Sequence, residues 1–246
     1  MIDELVTVLI TCSPSPRHPD TGLIRDTIAS VRWHLPEAQI LICCDGVRSE
    51  QEDRRSAYCE FQDRLDKMVG ANGLDNISIL TLLEFQHQAH SIARGLELVK
   101  TPLILFTEHD LQLLTTENPW DDMATMIIEG RVNLIRLMLG DEMRPEWEQF
   151  MLGNVELNGF PTVLVKTLQW SQRTHLASTA YYRKMVEEHV KPKDRCYLED
   201  RLYGQCDDWE KHRLTIFVPP DVPQRIMHLD GRQGEPKFDS VLEGKE

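Results

Sequence analysis

Four short apolar, β-branched runs, each separated from the next by a stretch with helical periodicity, constrain this chain more than any other feature. LVTVLITC (5–12), AQILICCDG (38–46), NISILTLLEF (76–85) and the start of LILFTEHDLQLL (103–114) read as strands. Between them, TGLIRDTIASVRWHL (21–35) sets Leu23, Ile24, Thr27, Ile28 and Val31 at helical spacing, a charged helix spans 49–69, and a third helix covers 87–99. Strands buried on both faces read as continuous hydrophobic runs, and alternating strands and helices joined by right-handed crossovers give a parallel sheet covered on both sides. The predicted fold class is therefore α/β, a three-layer α/β/α sandwich on a mainly parallel sheet. Pro102 stands where the fourth strand begins and no ladder donor is needed.

The pattern changes after residue 115. NPWDDM supplies an Asn cap, a proline at the first helical position and two acids in the first turn, which predicts a helix over 119–130. Strands are expected at 132–139, 162–168, 214–218 and 225–229, and helices at 179–190 and 198–211. The tail GRQGEPKFDSVLEGKE is polar.

Composition excludes several classes. The formal charge of −13, from 40 acidic and 27 basic residues, repels polyanions, so no nucleic-acid partner is expected. No apolar run is long enough to span a bilayer, and MIDELVTVLITC carries no basic leader, so the expected location is cytoplasmic with no membrane span. Six cysteines without a CxxC pair read as reduced thiols, with Cys12 and Cys43 packing in the core. Neither GxGxxG nor GxxxxGK[ST] occurs, which disfavours a dinucleotide enzyme or a P-loop enzyme.

The candidate chemistry lies where the strands end. Glu108, His109 and Asp110 close the fourth strand, at the carboxyl edge where open α/β sheets bind ligands; the alternative is a polar turn. Asp45 closes the second strand, where it either accepts a hydrogen bond from a base or ribose or makes a turn with Gly46. In QHQAHSIARGLELV, Ala89, Ile92, Ala93, Leu96 and Val99 form an apolar stripe that leaves Gln88, Ser91 and Arg94 on another face. WSQRTHLASTAYYRKM (170–185) is aromatic enough either to stack on a sugar or to pack in the core.

The order of these pieces, from the first strand through Asp45 to an apolar strand ending in EHD, resembles the nucleotide-sugar-binding half of family-2-like glycosyltransferases with the GT-A fold, over residues 5–115. The resemblance implies one GT-A-like domain over 1–246, with a nucleotide-sugar-binding half (1–115) and an acceptor-side half (116–246). It implies transfer of a sugar from a nucleotide-diphosphate donor, UDP favoured, to an unknown glycan, lipid-linked or small-molecule acceptor. EHD would be a variant DxD motif, with Asp110 as direct ligand of Mn²⁺ or Mg²⁺, Glu108 facing the ribose or a metal-bound water, and His109 turned to the opposite face. Arg94 would touch the base or a phosphate. In LEDRLYG, Glu199 and Asp200 match the family's acidic pair, with Asp200 as the base of an inverting transfer, although acids suit any first helical turn. In RIMHLDGRQGEPK, His228 would complete the metal shell and Arg232 would contact a phosphate, while the irregular spacing to Lys237 departs from the family pattern. The alternatives are a nucleotidyltransferase on a related sheet, against which CSPSPRHPDTG (12–22) lacks the Gly-rich loop, and a non-catalytic sugar-nucleotide-binding protein.

Overall fold

The computed structural model describes residues 2–71, 76–140, 143, 145–156, 163–219 and 224–229. The first half follows the predicted alternation: β1 (Val6–Cys12), α1 (Gly22–His34), β2 (Gln39–Cys44), α2 (Arg55–Ala71) after a 3₁₀ turn at Ser49–Arg54, β3 (Ile77–Thr81), α3 (His87–Leu98) and β4 (Leu103–Glu108). Every residue of β1 is buried, which is why it reads as an unbroken apolar run. β3 stops at Thr81, short of the expected 85. Leu82 N still donates to Cys44 O at 2.9 Å, but Leu83 is 88% exposed, so the chain leaves the sheet there.

The second half holds β5 (Leu111–Leu113), α4 (Trp120–Ile128), β6 (Leu134–Arg136), a 3₁₀ turn (Pro145–Phe150), β7 (Met151–Glu156), β8 (Val163–Thr167), β9 (His175–Ser178), α5 (Thr179–His189), α6 (Leu198–Leu202), α7 (Trp209–His212), β10 (Leu214–Val218) and β11 (Ile226–His228). Three expectations change here. The predicted helix over 198–211 is two short helices, because Gly204 takes φ +70 between them and Asp208 caps the second by accepting from Lys211 N. α4 starts at Trp120 with Pro119 at its cap position and no side-chain cap bond, so Asn118 does not cap it. β7 and β9 were not anticipated.

Nine strands form one sheet in the order β3-β2-β1-β4-β9-β6-β10-β8-β7. The β3-β2-β1-β4 segment is parallel throughout, with Val8 beside both Ile40 and Leu105. β9 runs antiparallel between β4 and β6, and β8 is antiparallel to β10 and β7, so only those two strands oppose the other seven. Alternate residues of each strand feed two cores. Val8, Ile10, Ile42 and Leu105 pack with α1, α2 and α4, whereas Leu9, Leu41, Ile104 and Phe106 pack with α3, α5 and α6. The three-layer sandwich is thus present, on a mixed but mostly parallel sheet. β11 pairs with β5 as a separate ribbon beyond the end of β4.

Candidate active site

In the β3-β2-β1-β4 segment, the chain passes from one side of β1 to the other between β3 and β4, and a crevice opens at such a switch point beyond the strand ends. A cleft of about 590 Å³ lies there, within the range of small-ligand sites. Its walls take Cys12, Ser13 and Pro14 from the end of β1, Asp45 from β2, and Glu108, His109 and Asp110 from β4. The second half contributes Arg136, Trp147, the 169–173 loop, Tyr197, Glu199, Asp200 and His228.

Asp45 is 3% exposed and its Oδ1 accepts from Gly46 N and Gln86 N, both at 2.8 Å. Burial raises its pKa, and those backbone N–H groups oppose the rise. Its carboxylate therefore staples β2 to the start of α3 while forming part of the cleft wall. Gly46 makes that approach possible: a Cβ there would overlap the backbone of Glu84 and Phe85. Around this corner Arg48 lies over the Phe85 ring at 4.9 Å, and His87 meets Tyr197 edge-on at 4.7 Å. His87 holds φ 63, a conformation costly for a side chain with a Cβ, and its Nδ1 accepts from Gln88 N at 2.9 Å. Burial lowers the His87 pKa, with Arg48 pushing the same way and Asp200 opposing.

Glu108 accepts from Gln88 Nε2 at 2.6 Å, on the α3 side of the sheet. His109 turns to the other side, its ring 6.4 Å from that of His18, which stacks on Phe61 of α2 at 4.2 Å. Asp110 is 2% exposed, and its carbonyl accepts from Leu229 N at 2.9 Å. The β5–β11 ribbon places His228 opposite Leu111. His228 thus reaches the same cleft as Glu108 and Asp110 from more than a hundred residues away in sequence.

Glu199 and Asp200 occupy the first turn of α6 in different states. Glu199 Oε2 accepts from Gln172 N at 2.9 Å, whereas Asp200 is exposed and has no hydrogen bond among the described residues. Arg94 does not reach the cleft. It is not part of the cleft lining, and it pairs in solvent with Glu97 at 2.9 Å. Arg232 and Lys237 lie outside the described residues. Trp170, His175 and Tyr182 are core, at 2%, 0% and 1% exposure, packed in aromatic contact with one another, so they are not sugar-stacking surface.

The cations lining the cleft are instead Arg48, Arg136 and Arg173. Arg136 carried a legible signal, a lone cation inside the apolar run NLIRLML. Among the described residues, one trio brings ligating atoms within 4.8 Å of one another: Cys12, His18 and His109. Its chemistry argues against a metal. His18 Nδ1 accepts from Ser15 N at 3.0 Å, which leaves the proton of the neutral ring on Nε2, and burial drives the Cys12 thiol far above its ordinary pKa.

No family model matches the chain, and no curated protein matches it. Solved structures do. The structure of S. aureus TarS residues 1–349, a GT-A-type glycosyltransferase, superposes with a TM-score of 0.57 at 12% identity, covering 91% of this chain and 60% of that one. This is a GT-A fold. The same TarS fragment in complex with UDP-GlcNAc matches with a TM-score of 0.53 at 14% identity over 86% of this chain and 55% of that one. Its UDP complex gives 0.51, at 14% identity, over 86% and 57%. The chain therefore spans less than two thirds of each of these TarS chains. Among the described residues, no helix is long and apolar enough to cross a membrane.

Proposed function

We propose that this protein transfers a sugar from a nucleotide-diphosphate donor, with UDP the favoured nucleotide, to an acceptor hydroxyl, and that it inverts the anomeric centre using Asp200 as base. The observation that carries this reading is the meeting of Glu108, Asp110, His228 and Asp200 in one cleft at the carboxyl edge of a GT-A sheet. The UDP and UDP-GlcNAc complexes of TarS support the choice of donor.

Two carboxylates and an imidazole are a donor set that suits a divalent cation of the Mn²⁺ or Mg²⁺ kind, the imidazole favouring Mn²⁺. Asp110, Glu108 and His228, which line one cleft although their ligating atoms do not stand within 4.8 Å of one another, would hold it, and when bound it supplies positive charge against the departing diphosphate. The protein's own groups do the rest. Arg48, Arg136 and Arg173 offset the acidic surface where an anionic donor must enter. Asp45 and the Arg48–Phe85 pair bring an acceptor, a cation and an aromatic ring to one corner of the cleft, groups suited to a nucleobase. Asp200 projects from α6 ready to take a proton from the acceptor, while Glu199 is tied to the 169–173 loop.

The test is a panel of nucleotide sugars read by thermal shift and by slow donor hydrolysis, with Mn²⁺ and with excess EDTA. Metal-dependent stabilisation by one donor, with turnover, is the expected result. Equal affinity in EDTA would remove the metal, and binding without turnover would leave a sugar-nucleotide-binding protein. Asp110→Asn should abolish the metal-dependent shift while the apo protein melts at an unchanged or higher temperature. Unfolding of that variant would make Asp110 a structural residue.

A further inference from the structure

A chain of hydrogen bonds crosses the floor of the cleft. Gln88 on α3 donates from Nε2 to Glu108 Oε1 at 2.6 Å, and it is 9% exposed. Its remaining side-chain oxygen faces Gln172, on the loop that leads into β9. With the Gln172 amide turned to serve the opening of α6, its nitrogen donates to Gln88 Oε1 at 2.9 Å, although its oxygen also abuts that same Gln88 oxygen. Its oxygen then accepts from Leu198 N at 2.7 Å and Glu199 N at 3.1 Å, the opening amides of α6. Gln172 N in turn donates to Glu199 Oε2 at 2.9 Å.

The polarity of this chain is dictated at both ends. An ionised carboxylate can only accept, so Gln88 must show Glu108 its NH₂ and Gln172 its oxygen. Helix-opening N–H groups can only donate, so Gln172 must show them its oxygen and Gln88 its NH₂. Each amide has one orientation that gives both neighbours a donor or acceptor of the right kind, at the cost of the contact between the Gln172 and Gln88 oxygens. The four members come from α3, β4, the 169–173 loop and α6, from both halves of the chain. A second tie runs alongside: Ala89 N donates to Cys196 O at 3.2 Å, so the backbone near α6 stays anchored if the side chains are cut.

We propose that Gln88 and Gln172 are positioning residues that fix α6, and with it Asp200, to the donor-side carboxylate of Glu108. The catalytic sense of this rests on the transferase reading above, whereas the coupling itself does not. Binding at Glu108 and proton transfer at Asp200 are thereby held in one frame, as a direct displacement needs.

The test separates the two claims. Gln88→Met and Gln172→Met keep side-chain length and remove the amide. Hydrogen exchange at the Leu198 and Glu199 amides should rise about tenfold in Gln88→Met, although no hydrogen bond runs from Gln88 to either of them. The double variant should exchange no faster than Gln172→Met alone, since a chain cut once loses nothing by a second cut. For the catalytic consequence, Gln172→Met should lower kcat about 10- to 100-fold and leave donor Kd within twofold. Wild-type exchange at positions 198 and 199 in Gln88→Met overturns the coupling. Loss of donor affinity in step with kcat in Gln172→Met overturns the positioning role. Exchange as expected in a wild-type protein that turns over no nucleotide sugar retains the chain and removes the transferase reading.

Discussion

Two adjacent carboxylates on α6 divide their work by their hydrogen bonds. Glu199 is tied to Gln172 N, while Asp200 faces the cleft with no such tie among the described residues. A base must be ionised and within reach of the proton it takes, and such a group typically contributes about 10²- to 10⁴-fold in rate. Asp200→Asn should cut single-turnover transfer by about that factor at unchanged donor affinity, and Glu199→Gln should cost less. A normal Asp200→Asn beside a dead Glu199→Gln would exchange their roles, and indifference to both would put the base elsewhere. Strand ends point to Asp45, Glu108 and Asp110, the family resemblance adds Asp200 and His228, and all five line one cleft. Periodicity failed on Arg94, since a helical stripe fixes which residues are buried but not which edge of the polar face meets the ligand. It missed Gln88 and Gln172 as partners, since an amide pair across 84 positions leaves no mark in spacing.

At the level of elements, α3 carries the cleft only because it lies close on the sheet. Gly95 is the contact that permits it: a Cβ there would stand 2.7 Å from Cys43 Sγ and 2.7 Å from Leu9 Cδ1. Helix propensity favours alanine over glycine by about 1 kcal/mol, but overpacking against rigid strands costs about 1–3 kcal/mol. Sterics should win. Gly95→Ala is expected to lower stability in urea unfolding, and adding Cys43→Ala should recover part of the loss; a stabilised Gly95→Ala would show that α3 can lift freely. β1, β2 and β4 were legible because both faces are buried and composition alone marks them, and β3 because its apolar run stands out even though it is only partly buried. β9 was not, for HLAS is four residues long, holds a histidine, and owes its strand state to the neighbours on either side.

For the molecule as a whole, acid should act through histidines kept neutral inside it. Burial holds His175 down to about 3 and, with the nearby His109, His18 down to about 4. Both lie below the unfolded value of about 6.5, so the unfolded chain binds the extra protons. This part of the stability is intact above pH 6.5 and drains away as pH falls towards 4 and then 3, by up to about 1.4 kcal/mol per unit for each group. Urea midpoints at pH 7 and pH 5 would measure the slope, and His175→Phe, which keeps the stack on Phe106 and Tyr182, should flatten it. A slope unchanged in that variant would assign the acid sensitivity to other groups. The place of β9 also sets a timetable. As the chain emerges during synthesis, β1 to β4 can pair at once, but the free side of β4 waits for a strand that begins at His175. Until then Leu103–Phe106 is an apolar, unpaired border, the kind along which nascent chains stick to one another. A fragment ending at residue 115 should therefore sediment as aggregate rather than as a nucleotide-binding module. The chain is committed to its fold only when the second half arrives to close the sheet.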